Sequence, residues 1–332
     1  MRLASWILLL AGLSAAQAEP GAEFVFEQAS FPSCHASTIL EAKNGDLLAA
    51  WFGGSREGAD DVAIWLSRRS GDDWSAPLEM ARHEQTPTWN PVLFRAADGT
   101  TFLFYKFGTS PREWTGAYRS SVDDGRTWSD STTLPAGLLG PIRNKPLILP
   151  DGTIVSGASN ESYQAWASWV EISRDDGRTW TRFGPISHPA EPFGIIQPAI
   201  VPVPGGLRMF VRARNVGRIC SAESYDGGRT WSPAWETQLP NPNSGIDAVG
   251  LADGRIVLVY NHTERGRTPL NVAVSADHGK TWNSFLALED QPGEYSYPAV
   301  IQASNGDLLI TYTWKRERIK HVRIPLADVP AR

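Results

Sequence analysis

Several features that mark metal, redox and nucleic-acid proteins are scarce in this chain. Cysteine occurs twice, as Cys34 and Cys220, among 332 residues with six histidines, and no Cys/His group has the spacing of a metal site. The two cysteines fall in distant parts of the repeat described below, so two buried free thiols are expected rather than a disulfide. No metal and no cofactor is expected. Basic excess is absent: 31 Lys and Arg stand against 36 Asp and Glu, for a net charge of −5. That balance argues against a nucleic-acid partner. Linkers, low-complexity runs and charge blocks are missing too, so nothing divides the chain into separate domains.

Long apolar runs are missing as well, apart from the start of the chain. Met1–Ala18 has the composition of a secretory signal. Arg2 is the charged start, Trp6–Leu10 with Ala11 and Leu13 the apolar core, and Ala16-Gln17-Ala18 the small-residue cleavage site. The run is too short to cross a bilayer. The sequence therefore predicts a secreted or periplasmic protein, cleaved near Ala18, with one domain over 19–332 and no stable membrane insertion. It leaves the oligomeric state open.

What the chain has in abundance is repetition. Ser-x-Asp-x-Gly-x-Thr-Trp occurs in degrees of fidelity at Ser121–Trp128, Ser173–Trp180, Ser224–Trp231 and Ser275–Trp282, with a worn copy ending at Trp74. The tryptophans are spaced 51 to 54 residues apart, a period that points to propeller blades. The Asp carboxylate suits a turn in which it accepts backbone N–H bonds, and the Gly supplies a left-handed position. The Trp is a large apolar plug for the space between blades. A second series supplies the count: Asn44-Gly45, Asp98-Gly99, Asp151-Gly152, Gly205-Gly206, Asp253-Gly254 and Asn305-Gly306, each between short apolar runs. The reading is all-β, a six-bladed β-propeller of four-stranded blades. The alternating stretch Ala22–Gln28 has no unit of its own, and the last unit lacks an Asp turn. The N-terminal strand, centred on Phe24–Phe26, is therefore expected to complete the last blade and close the ring.

Propeller sites lie around the axis, at one end of the innermost strands. The polar residues opening those strands are His35, Asn90, Lys145, Gln197, Asp247 and Tyr297. Four precede proline, which predicts an extended approach to the strand. Arg143 and Tyr295 lie two residues before a strand start and, on strict alternation, share its face. Lys106, Glu161, Arg212 and Arg214 end second strands and are aimed at the same bowl. Arginines converging there, on an acidic chain, favour an anionic substrate, an acidic sugar foremost.

These residues resemble the sialidase superfamily of Asp-box propellers, and the resemblance covers the whole chain after residue 18. Cys34–Ile39, Trp51–Gly54, Glu57-Gly58 and Asp61–Trp65 are similar to its bacterial branch. The resemblance implies an exo-glycosidase acting on terminal acidic sugars, with Tyr295 as nucleophile and Asp61, or its neighbour Asp60, as acid/base. It implies a carboxylate clamp of Arg212 or Arg214 with Arg267, for which Arg265 competes. Two positions depart from the family pattern: His35-Ala36-Ser37 stands where an Arg-Ile-Pro stretch opens the first unit, and Gln197 stands where the partner Glu of the nucleophile belongs. Glu161 is the replacement carboxylate within reach. His35 suits proton transfer near neutral pH. A uronate lyase using His35 and Tyr295, and a glycan-binding propeller without turnover, remain as alternatives on the same fold.

Overall fold

A computed structural model of the chain describes residues 21–190 and 194–331. The expected signal peptide lies outside the described residues. The chain forms six antiparallel sheets in a ring. Blade 1 holds Ser33–Glu41, Leu47–Gly54 and Ala63–Ser70, with Asp73–Trp74 and Leu78–Ala81 sharing the outer position. Blade 2 holds Thr88–Arg95, Thr101–Phe107, Thr115–Ser121 and Thr132–Thr133. Blade 3 has an inner strand of only two residues, Leu147–Ile148, followed by Ile154–Glu161, Trp166–Ser173 and Thr181–Ile186. Blade 4 runs Ile195–Val203, Gly206–Ala213, Arg218–Ser224 and Trp235–Pro240, and blade 5 runs Asp247–Gly250, Ile256–Asn261, Leu270–Ser275 and Asn283–Glu289. Blade 6 takes Tyr295–Gln302, Leu308–Trp314 and Arg318–Ile324 from the end of the chain and its outer strand, Gly21–Phe24, from the beginning. The closing strand sits a few residues earlier than the aromatic pattern suggests, because Val25 and Phe26 turn into the core beside Trp51.

All six Gly-containing dipeptides join first and second strands, and Gly45, Gly99, Gly152, Gly205, Gly254 and Gly306 all carry φ between 74° and 93°. The Asp boxes join third and fourth strands. In the second blade Asp123 Oδ1 accepts from the Thr127 amide at 2.9 Å and Oδ2 from its hydroxyl at 2.6 Å, while the Gly125 amide donates to Ser121 Oγ at 2.8 Å. The same bonds recur at Asp175, Asp226 and Asp277. These carboxylates are occupied by their own turns.

The core is divided into clusters between adjacent blades, and the box tryptophans fill them. Trp180 of blade 3 meets Phe104 of blade 2 edge-on at 6.0 Å, and Trp282 of blade 5 meets Phe210 of blade 4 at 5.3 Å. Trp128 and Trp231 likewise pack against the preceding blade, and Trp74 against blade 6. Cys34 and Cys220 are buried free thiols. No helix among the described residues is long and apolar enough to cross a membrane.

Candidate functional site

Four inner strands start with a β-bulge. The register slips between His35 and Thr38, Trp89 and Val92, Ile196 and Ala199, and Ser296 and Ala299. Each bulge holds a non-glycine residue with positive φ: Ala36 at 59°, Asn90 at 38°, Gln197 at 59° and Tyr297 at 53°. The extended approach expected for residues before proline is thus wrong at Asn90, Gln197 and Tyr297. A bulge leaves one residue without a ladder partner, and a proline that cannot donate costs nothing there. The bulges re-aim side chains at the end of the ring opposite the Asp boxes.

Tyr297 is the centre of that end. Its ring lies 4.1 Å from the His35 ring and 5.2, 5.7 and 5.4 Å from the guanidinium carbons of Arg143, Arg212 and Arg267. Arg212, from the second strand of blade 4, donates to Tyr297 Oη at 2.6 Å, to Asn243 Oδ1 at 2.8 Å and to Gln197 Oε1 at 3.3 Å. Arg143 rises from the irregular stretch that replaces most of the inner strand of blade 3. It crosses the axis and donates from Nη2 to the Pro298 carbonyl at 2.6 Å, while its Nε and Nη1 have no partner. Arg143 is 1% exposed and Arg212 7%, and neither pairs with a carboxylate among the described residues. Burial lowers the Arg143 pKa to about 10, which leaves it charged at neutral pH. Two buried guanidiniums with no carboxylate in ion-pair contact among the described residues can take an anion.

Around this pair the charges are balanced. Glu294 Oε1 accepts from Arg267 at 2.7 Å, Arg316 at 2.5 Å and Ser296 Oγ at 3.1 Å. Arg316 also reaches Glu57 on the 55–62 loop at 2.6 Å. Glu161 is half-buried, and that burial raises its pKa, with Arg212 and Arg112 opposing and Glu57 adding to the rise. His35 is held well below the ordinary histidine range, first by burial and then by Arg316, Arg267, Arg143 and Arg212. It is therefore a neutral imidazole, with Nδ1 2.9 Å from Thr313 Oγ1.

Several residues expected at the site lie elsewhere. Tyr295 is turned into the core between blades 5 and 6, among Leu251, Val300 and Tyr312. The bulge explains this: Ser296 faces Arg267 at 3.4 Å, so Tyr295 faces the other way, and the slip at 297–298 brings Tyr297 round to the side of Ser296. Asp61 is exposed and folded into the neck of its own loop, accepting from the Ser55 amide and hydroxyl, both at 2.9 Å. Asp60 is exposed on the same loop. Arg214 points to the rim, over Trp166 at 5.1 Å. Lys145 and Asp247 neutralise each other across the axis at 2.9 Å. Lys106 is fully buried and donates to the carbonyls of Pro141 and Asn90, and burial lowers its pKa to about 7. Asn90 itself bonds to the Ile142 carbonyl at 3.3 Å. The axis below the bowl is therefore cross-braced. Arg316, Glu294 and Asn243 escaped the sequence reading because none opens an inner strand or ends a second one, and Glu57 entered it only within a motif of the resemblance, without a role.

A comparison with known families matches the BNR repeat-like domain over residues 45–310, and the chain belongs to that family. A curated relative, a sialidase of Bacteroides fragilis, is 23% identical over 63% of this chain, which spans 41% of that protein's length. Among solved structures, the Hadza microbial sialidase Hz136 superposes with a TM-score of 0.77 at 18% identity, covering 90% of this chain and 66% of that one. A protein of unknown function from Dyadobacter fermentans superposes equally well, at 0.77 and 17% identity, over 91% and 97%. At these identities the likeness is one of fold.

Proposed function

We propose that the protein is a sialidase-type exo-glycosidase that removes terminal acidic sugars from glycans, acting as a secreted or periplasmic enzyme. The observation that carries this reading is the pair Arg143 and Arg212, buried beside Tyr297 with no carboxylate in ion-pair contact among the described residues. The sugar carboxylate takes the unpaired N–H groups of that pair, with Arg267 completing the clamp from a charge-balanced position. Tyr297, rather than Tyr295, attacks the anomeric carbon; its hydroxyl proton passes to solvent water as the new bond forms and is regained when water displaces the phenolate from the sugar, and Arg212 stabilises that phenolate. Glu161, whose pKa is raised by burial, gives its proton to the leaving oxygen and later takes one from water. Gln197 and His35 hold the arginine and the phenol in place without adding charge. Asp61 braces the 55–62 loop.

The test is turnover of a panel of acidic and neutral glycans with product analysis. Release of an intact acidic sugar by the native protein, lost in Arg212→Ala and Tyr297→Phe, supports the reading. Equal turnover of a neutral sugar analogue counts against the clamp. One observation favours a second reading: a neutral His35 packed on Tyr297, beside arginines able to neutralise a uronate, also suits β-elimination. An unsaturated product absorbing in the near ultraviolet would establish the lyase, and binding without product would leave a glycan-binding propeller.

A further inference from the structure

The rim beside Glu161 carries an unusual pair. Glu161 ends the second strand of blade 3, and the hairpin that follows is pinned at its tip. The Ser162 amide donates to the Ala165 carbonyl at 2.8 Å, and the Ala165 amide to Ser162 Oγ at 2.9 Å. Tyr163, in the middle of this tip, is 81% exposed, the second most exposed large apolar side chain of the described residues. Arg112, from the loop joining the second and third strands of blade 2, sits over that ring, its guanidinium carbon 3.7 Å from the centroid. Arg112 is exposed and forms no ion pair among the described residues. A guanidinium stacked on an aromatic face keeps its N–H edge free for a planar anion and loses little entropy in binding it. Both Arg112 and Arg212 act on the Glu161 carboxyl, so the buried arginine and the rim pair are each within electrostatic reach of it.

We propose that Arg112 and Tyr163 form a second anion-recognising subsite, which holds the sugar on the leaving-group side, and that this sugar is itself acidic. The inference rests on the glycosidase reading above, in which Glu161 protonates the oxygen linking the two sugars. Arg112 takes the carboxylate of the second sugar, and the open part of the Tyr163 ring lies against its apolar C–H face. The preferred substrate is then a glycan with consecutive acidic residues, rather than one acidic sugar capping a neutral chain. Charge complementarity supports this: on a chain of net charge −5, Arg112 is neither ion-paired nor buried among the described residues and stands exposed to an incoming anion.

Binding by full-length Tyr297→Phe protein, measured calorimetrically, tests the proposal without turnover. The probes are sialic acid, its α2,8-linked dimer and a sialyl-galactose, together with galacturonic acid and its dimer. The expected result is that the acidic dimer of one series binds at least about tenfold tighter than its monomer, while sialyl-galactose gains little. Arg112→Ala and Tyr163→Ala should remove the dimer's advantage and leave monomer affinity unchanged within about twofold. Equal affinity for dimer and monomer overturns the second subsite, and so does loss of monomer and dimer binding alike in Arg112→Ala. Failure of every monomer and dimer to bind overturns the acidic-glycan reading itself, and the subsite with it. The two failures are therefore distinct. An Arg112→Lys variant guards against a folding artefact: it keeps the charge but not the stacked fork, so partial retention of the advantage is expected.

Discussion

At the scale of single residues, the site depends on which of two tyrosines faces the arginines. Tyr297 receives a hydrogen bond from Arg212, whereas Tyr295 lies in the core of blades 5 and 6. Tyr297→Phe should lower turnover by at least about two orders of magnitude while leaving the melting temperature near native. Tyr295→Phe, which keeps the packed ring, should leave turnover per folded molecule close to native, and full activity in Tyr297→Phe would end the nucleophile assignment. Glu161 makes a second prediction. Burial raises its pKa, and a general acid works in its protonated form. Turnover should therefore be present below that raised value and fall as pH rises through it. Glu161→Gln should cost about 100-fold on glycans and much less on nitrophenyl glycosides, whose leaving group needs no proton. An unchanged alkaline limb in Glu161→Gln would remove it from the acid role.

At the scale of elements, the Asp box and its tryptophan form one device. The carboxylate closes the turn, and the turn delivers the Trp to the preceding blade. Trp180→Ala should cost about 3–5 kcal/mol in denaturant unfolding, since a nearly buried ring facing Phe104 leaves a cavity. Asp175→Asn should lower the melting temperature and leave catalysis per folded molecule unchanged, because the box lies at the end of the ring opposite Tyr297. The boxes also set an acid limit. Asp226 and Asp277 are pushed up by partial burial, but bonds from the Thr230 and Thr281 side chains and amides outweigh that and hold each at about 2. Their contribution is present above the unfolded carboxylate value, near 4, and is lost as pH falls toward 2.

At the scale of the whole molecule, stability depends on closing the ring. Glu23, on the N-terminal strand, accepts from His321 Nδ1 of blade 6 at 2.9 Å and from Arg69 Nε of blade 1 at 2.8 Å. One carboxylate thus clasps the two blades that meet at the closure. Burial pushes its pKa up, and the bonds and charges of His321 and Arg69 bring it below the ordinary value. Its contribution should be full above the unfolded glutamate pKa and fade as pH drops through the folded one. Glu23→Ala should therefore lower the melting temperature by a few degrees at pH 7 and by less at pH 3. An equal loss at both pH values would show that packing, not the ionised clasp, holds the strand.

Repetition made the fold legible. The recurring box and Gly-containing dipeptide act through local turn chemistry, which needs no distant contact to be read, and together they determine six blades, their strand order and the roles of Asp123, Asp175, Asp226 and Asp277. The closing strand was legible too, because an unmatched alternating stretch at one end answers a missing outer strand at the other. The site was legible only in outline. Arg143, Arg212, Arg267, Glu161 and His35 stand at element ends, where a propeller gathers its polar residues. Tertiary structure alone decided which tyrosine faces them. Strict alternation puts Tyr295 and Tyr297 on one face, and a bulge, set by pairing with Leu308–Trp314, separates them. Tertiary structure also decided that Lys145 and Asp247 cancel across the axis while Arg143 and Arg212 stay unpaired, since that balance depends on distances between blades roughly fifty to a hundred residues apart in the chain.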